Sequence, residues 1–178
     1  MKIFQEKPQV QQYASAAEFV KTFSIGKGDF ILASKSIYDG YFAGLCDGAE
    51  VRFKTDYGKS EPTDIMLDAL LADFRKLDCN RIIAIGGGAV IDMAKILVLD
   101  TDASTQDIYQ RKAALIRKRE LIAVPTTCGA GSEVSNVSIV ELTKLGTKLG
   151  LADDTIPSQM APELSLVPSS TRMISRLS

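Results

Sequence analysis

The sequence predicts an α/β fold in which a largely parallel sheet is flanked by helices, and three observations carry that prediction. Short apolar runs at 29–33, 81–85 and 120–124 alternate with stretches of helical periodicity, the rhythm of strands joined by crossover helices. Two of those runs end directly in loops of glycine and small hydroxyl residues. The chain has 178 residues, 46% hydrophobic and 24% charged, the composition of one globular domain. A core of that size buries roughly two thirds of the unfolded surface and needs no disulfide or metal to hold it.

Ser15 and Glu18 stand at capping-box spacing and open a helix to Phe23, the serine hydroxyl accepting the amide three residues on. Residues 29–33 read as a buried strand and 35–45 as a helix. Residues 50–54 alternate apolar with charged, a strand with one wet face. Pro62 sits where a first-turn helical proline belongs, because its missing N–H has no intrahelical acceptor there. Behind it Met66, Leu67, Leu70, Leu71, Phe74 and Leu77 recur at three- and four-residue spacing, an amphipathic helix. Residues 81–85 are nearly all apolar and run into glycines, a strand, and 91–99 read as a mostly buried helix. The strand signal repeats at 120–124 and stops at Pro125. Residues 134–152 read as two strands joined at Lys144, Leu145 and Gly146, a small antiparallel hairpin, and 164–167 as a short strand before a polar tail.

Composition excludes several classes of function. There is no histidine, so a Ser-His-Asp or Cys-His unit and an imidazole acid, base or metal ligand are ruled out. Basic and acidic residues number 21 and 22, for a net charge of −1, which lacks the basic surplus of a nucleic-acid binder. The cluster Arg111, Lys112, Arg117, Lys118, Arg119 is short and interrupted, and reads as a solvated helix end or loop. No apolar run is long enough to span a bilayer, and the first residues do not open a signal peptide. Cys46, Cys79 and Cys128 are odd in number and follow no C-x-x-C spacing, the pattern of free thiols in a reducing cytoplasm.

Two loops can carry chemistry. The first is Gly86, Gly87, Gly88, Ala89, followed by Asp92 and Lys95, between a strand and a helix. Glycines let backbone N–H groups approach a ligand, and the helix N-terminus attracts anionic pyrophosphate. The spacing is neither G-x-G-x-x-G nor a P-loop, and a glycine turn that only packs strand against helix would read the same way. The second loop is Pro125, Thr126, Thr127, Cys128, Gly129, Ala130, Gly131, Ser132, Glu133, at a strand's carboxyl end, where open α/β sheets bind ligands. Threonines that merely cap a helix are the plain alternative. With no base near it in sequence, Cys128 reads as an inert thiol.

Together, in this order and spacing, the two loops resemble the iron-containing (group III) alcohol dehydrogenase family, which carries G-G-G-S-x-x-D-x-A-K and P-T-T-x-G-T-G-S-E loops after successive strands. The resemblance runs from about Asp29 to Val167. Residues 61–64, 80–83 and 124–137 look most like its 4-hydroxybutyrate dehydrogenase branch. It implies a Rossmann-like domain that binds NAD or NADP. Gly86, Gly87, Gly88 and Ala89 would hold the pyrophosphate, and Asp92 would fix the loop or the nicotinamide side. Thr126 and Thr127 would contact the adenine and ribose half. Ser135, Val137 and Lys148 match later cofactor-contacting positions, Lys148 as a donor to ribose hydroxyls, and Val167 would lie near the nicotinamide. Without the resemblance, Lys148 reads equally as a solvated strand lysine.

Departures from the pattern sharpen the expectation. Ala89 stands where the family has serine and Ala130 where it has threonine, each deleting a hydroxyl worth about 0.5–1.5 kcal/mol if bonded. Glu61 replaces a frequent asparagine, and Ser34, with Lys35 beside it, replaces the acidic residue that reads the ribose 2′-hydroxyl, leaving NAD and NADP both open. Residues 170–178 contain no carboxylate and no histidine, whereas the family's metal ligands, one aspartate and three histidines, lie in a helical second domain. The expectation is therefore a dinucleotide-binding domain over 1–168, with 169–178 a truncated start of that domain or a disordered tail, and no catalytic or metal-ligating residue. Iron or zinc would not bind this chain, and a small alcohol or aldehyde would react only if the second domain were supplied. The rival expectation is a non-catalytic, truncated or degenerate binding or assembly module. Uncovered apolar surface predicts self-association or poor solubility.

Overall fold

The computed structural model describes residues 12–127, 131–156 and 163–164. At its centre four strands run parallel: β2 (Asp29–Ala33), β3 (Glu50–Phe53), β4 (Arg81–Gly86) and β5 (Glu120–Pro125), in the order β3-β2-β4-β5. The three runs singled out by their apolar sequence are the inner strands and one flank. They align Ile31 with Ile83, Ile83 with Ile122, and Gly86 with Pro125. Phe30 to Ala33, Ile82 to Ile85 and Leu121 to Val124 are all buried, as parallel strands covered on both faces must be. The edge strand β3 is only partly buried and carries Glu50 and Arg52. Arg52 Nη1 donates to the Val51 carbonyl at 2.8 Å and pairs with Glu50 at 3.4 Å.

The helices are α1 (Ala16–Phe23), α2 (Lys35–Tyr41), α3 (Lys54–Tyr57), α4 (Asp64–Phe74), α5 (Gly88–Leu97) and α6 (Thr105–Tyr109). A separate antiparallel hairpin, β6 (Val137–Leu142) with β7 (Thr147–Ala152), matches the expectation of a small hairpin. The two-residue strands β1 (Gln12–Tyr13) and β8 (Glu163–Leu164) pair in parallel. Ser15 caps α1 by accepting from Glu18 N–H at 3.2 Å, while the Glu18 carboxylate returns to Ala14 N–H rather than to Ser15.

Several boundaries differ from the expected ones, each for a local reason. The helix expected over 35–45 stops at Tyr41, because Gly44 takes a left-handed φ of 76° and the Phe42 and Ala43 amides both turn back to the Tyr38 carbonyl. Pro62 lies outside α4. Thr63 is the cap, its Oγ1 accepting from Met66 N–H at 3.3 Å, and the Pro62 carbonyl accepts the Glu141 amide at 2.9 Å. The buried helix begins at Gly88 rather than Ile91, capped by Gly87 in extended conformation. Glycine disfavours helix interiors, but it is acceptable at the cap and first turn, where packing decides. Val134 belongs to a 3-10 turn, Ser132–Val134, and not to the hairpin. Arg119 is no solvated side chain: it donates to the Cys79, Leu97 and Leu99 carbonyls and lies over the Phe74 ring.

Cys46 and Cys79 are buried free thiols, and burial pushes Cys46 up to about 11. Among the described residues no helix is long and apolar enough to cross a membrane. Cys128, Ala130, most of the strand expected at 164–167, and the tail at 169–178 lie outside the described residues. Replacing Thr63 with alanine should cost about 1 kcal/mol, the usual worth of a cap hydroxyl. A thermal melt against the wild type checks it.

Candidate functional site

In the sheet order the chain leaves β2 toward β3 on one side, while β4 leads to β5 on the other. The loops after β2 and β4 therefore diverge, and a crevice opens outside the carboxyl ends of these strands, the usual ligand position in such sheets. Ser34 follows β2 as the cap of α2, its N–H donating to the Ile85 carbonyl at 2.8 Å. The neighbouring Lys35 ammonium is held by Asp39 at 3.0 Å and lies over the Phe53 ring.

The glycine loop follows β4. A Cβ on Gly86 would stand 2.6 Å from Val90 Cγ2, and one on Gly87 would stand 2.9 Å from Thr127 Oγ1. Gly86 is thus required for α5 to fold back against its own strand, and Gly87 is where the two glycine- and threonine-bearing loops touch. The Thr126 amide donates to the Gly86 carbonyl at 3.1 Å, locking the second loop to the first. Gly88 and Ala89 occupy the first turn of α5, so their N–H groups have no intrahelical acceptor and sit at the positive end of the helix.

A cleft of about 430 Å³ opens over this turn, lined by Glu61, Pro62, Gly88, Ala89, Asp92, Ser132, Ile139, Val140, Glu141 and Lys148. One wall is the glycine loop and α5. The other is the hairpin, clamped from three sides. Asp64 accepts from the Thr143 amide and hydroxyl at 3.1 and 2.9 Å. Ser138 donates to the Asp92 carbonyl at 2.7 Å, which leaves the Tyr109 hydroxyl to donate to Ser138 Oγ at 2.6 Å. The Ile139 amide reaches Asp92 Oδ2 at 3.3 Å. Lys148 pairs across the hairpin with Glu141 in register, so its cation faces the cleft in company with a carboxylate.

Behind the cleft wall lies a residue that stands with the glycine loop in the sequence but has no role assigned from it. Lys95 is completely buried. Its Nζ lies 3.3 Å from Asp92 Oδ1 and 3.3 Å from Ser135 Oγ, and it bonds the Val137 carbonyl. Burial lowers the Lys95 ammonium and raises the Asp92 carboxyl from their ordinary values, and each is pulled back by its partner's charge. The i, i+3 spacing of Asp92 and Lys95 was the available signal, but the same spacing is common on solvated helix faces.

Of the expected site residues, Gly88, Ala89, Asp92 and Lys148 meet on the cleft. Gly86, Gly87, Thr126 and Thr127 pack on one another at the ends of β4 and β5 without lining it, and the Ser135 hydroxyl and Val137 carbonyl bond Lys95. Ser34 lies at the end of β2, away from the cleft lining, and Val167 lies outside the described residues. Glu61, Ser132, Ile139 and Glu141 line the cleft without having been expected as ligand contacts. Among the described residues no three His, Cys, Asp or Glu side chains converge on a point that could hold a metal.

Comparison with known proteins agrees with this architecture. Residues 2–167 match the family model of iron-containing alcohol dehydrogenase. The chain is 45% identical over 156 residues, 88% of its length, to the 4-hydroxybutyrate dehydrogenase of Clostridium kluyveri, of which it covers 42%. It is 38% identical over 120 residues to the 4-hydroxybutyrate dehydrogenase of Cupriavidus necator, covering 62% of this chain and 31% of that protein. Its fold is similar to that of sulfoacetaldehyde reductase from Bifidobacterium kashiwanohense, crystallised with NAD+. The TM-score is 0.73 at 22% identity, over 92% of this chain and 46% of that one. NADH-dependent butanol dehydrogenase A from Thermotoga maritima gives a TM-score of 0.71 at 15% identity, over 92% and 44%. The chain spans less than half the length of these proteins.

Proposed function

This chain belongs to the iron-containing alcohol dehydrogenase family, and from that premise we propose that it is the dinucleotide-binding part of an NAD(P)-dependent alcohol oxidoreductase, over 1–168, with 4-hydroxybutyrate and succinate semialdehyde as the substrate pair of the whole enzyme. The observation that carries the reading is the meeting of the glycine loop, the first turn of α5 and the hairpin wall on one cleft at the diverging strand ends. In this reading the Gly88 and Ala89 amides face the pyrophosphate, while Gly87 leaves room for Thr127 to pack against the loop. Thr126 and Thr127 border the adenosine half. Lys148 donates to ribose hydroxyls, with Glu141 beside it as an acceptor, and Asp92 braces the hairpin through the Ile139 amide.

When bound, the nicotinamide supplies hydride transfer. The described residues bind and orient it. Titration of the 178-residue chain with NADH and NADPH, followed by nucleotide fluorescence, tests the reading. Saturable binding in the micromolar range is the expected result. A flat titration with both would favour the rival, a non-catalytic module, to which the Ala89 methyl in the cleft lends support by removing a hydroxyl donor. Iron- or zinc-dependent alcohol oxidation by the isolated chain would overturn the assignment of the catalytic half to residues elsewhere.

A further inference from the structure

We propose that Lys95 is a positioning residue of the dinucleotide cleft: it cancels the Asp92 carboxylate beside the glycine loop and pins the hairpin wall at the height the bound pyrophosphate requires. The proposal rests on the cofactor reading above. Asp92 lies one helical turn after the Gly88 and Ala89 amides and lines the same cleft. An uncompensated carboxylate there would oppose the pyrophosphate charges that those amides attract.

The geometry shows how this is avoided. Both Asp92 oxygens are engaged by the protein, Oδ1 by the Lys95 ammonium and Oδ2 by the Ile139 amide, and the Ser132 side chain bonds the carboxylate as well, so the carboxylate acts as a brace between α5 and the hairpin. The three ammonium protons of Lys95 reach three elements: Asp92 on α5, Ser135 in the connecting turn and the Val137 carbonyl at the start of β6. An ammonium has three donors and no acceptor, so the group is saturated and has nothing left for the ligand. Its other charged neighbour is Glu133 in the turn, and the Tyr109 phenol of α6 faces Asp92. A methionine at 95 would fill similar space but supply neither the charge nor the pin.

Four chains separate this role from simple packing: wild type, Lys95→Met, Asp92→Asn and the double variant. Each is titrated with NADH, melted, and followed by amide exchange at Ile139. Lys95→Met should weaken NADH at least about tenfold, the effect of exposing one buried charge, and should speed Ile139 exchange. Asp92→Asn should also weaken NADH, because it leaves the buried Lys95 ammonium without its counter-charge. The double variant should bind NADH at least about threefold better than Lys95→Met, because removing both charges restores neutrality, while Ile139 exchange stays fast because the pin is still missing.

An Asp92→Asn loss that the double variant retains in full would mean that the carboxylate itself takes the ligand, and would overturn the proposal. So would a double variant as weak as Lys95→Met. If Lys95→Met does not fold, comparison of Asp92→Asn with the double variant still decides, a double no better than Asp92→Asn overturning the proposal. A wild type that binds no NADH overturns the cofactor reading and this proposal with it, whereas binding by wild type with an unrescued double overturns this proposal alone.

Discussion

Replacing Gly86 with alanine should destabilise the chain by about 1–3 kcal/mol, the cost of forcing an extra methyl into a packed site, and weaken NADH at least about tenfold. The added Cβ would lie 2.6 Å from Val90 Cγ2, 2.8 Å from Val90 Cβ and 3.2 Å from Val90 Cγ1. Val90 cannot turn aside: it is buried on the first turn of α5, and a β-branched side chain in a helix is held to one rotamer. The strain must therefore move the first turn of α5 away from β4, and the amides that face the cleft move with it. The double variant Gly86→Ala, Val90→Ala removes the collision and should recover most of the lost affinity while keeping a smaller stability deficit from the missing methyls. Melting curves and NADH titrations of the three chains check both statements, and an affinity unrescued in the double would show that Gly86 serves the ligand by another route.

Asp29→Ala should cost stability instead, by about 3 kcal/mol, with NADH affinity per folded molecule unchanged. Asp29 and Arg81 open neighbouring strands in register and bond twice, at 2.8 and 2.7 Å, while the second Asp29 oxygen also accepts the Gly26 amide at 2.9 Å. Asp29 is buried and Arg81 keeps about 23% side-chain exposure. Breaking this pair therefore falls at the low end of the 3–5 kcal/mol for a buried ion pair that loses one partner, or about 6–12 °C in melting temperature. The pair sits at the amino ends of β2 and β4, the opposite end of the sheet from the cleft. A melting temperature within a degree or two of wild type would mean that water replaces the carboxylate freely at that end.

How much of this was legible in the sequence depended on the length of each signal. β2, β4 and β5 were visible because strands covered on both faces are continuous in apolar residues, and the hairpin because Lys144 to Gly146 interrupts two runs. The single-turn helices α3 and α6 were not anticipated. Periodicity needs more than one turn to register, although Ser104 caps α6 by accepting the Asp107 amide. The cleft was half legible. Its glycine loop has a spacing that chemistry explains, but its other wall comes from Glu61, Ile139 and Glu141, residues brought there by the docking of the hairpin on α4. Nothing local marks them. Lys95 stands with the glycine loop in a stretch that reads as mostly buried, but its partners Ser135 and Val137 come from the segment packed over α5, and no nearby residue points to them.

The edge strand β3 bears on how copies of the chain can meet. A bare strand edge invites another strand to add to it, and repeated addition grows fibres. Here Arg52 folds its guanidinium onto the Val51 carbonyl, and Glu50 holds it there. An incoming strand would have to displace the guanidinium from that carbonyl and leave Glu50 without its partner. The charged pair thereby guards that margin against open-ended strand addition.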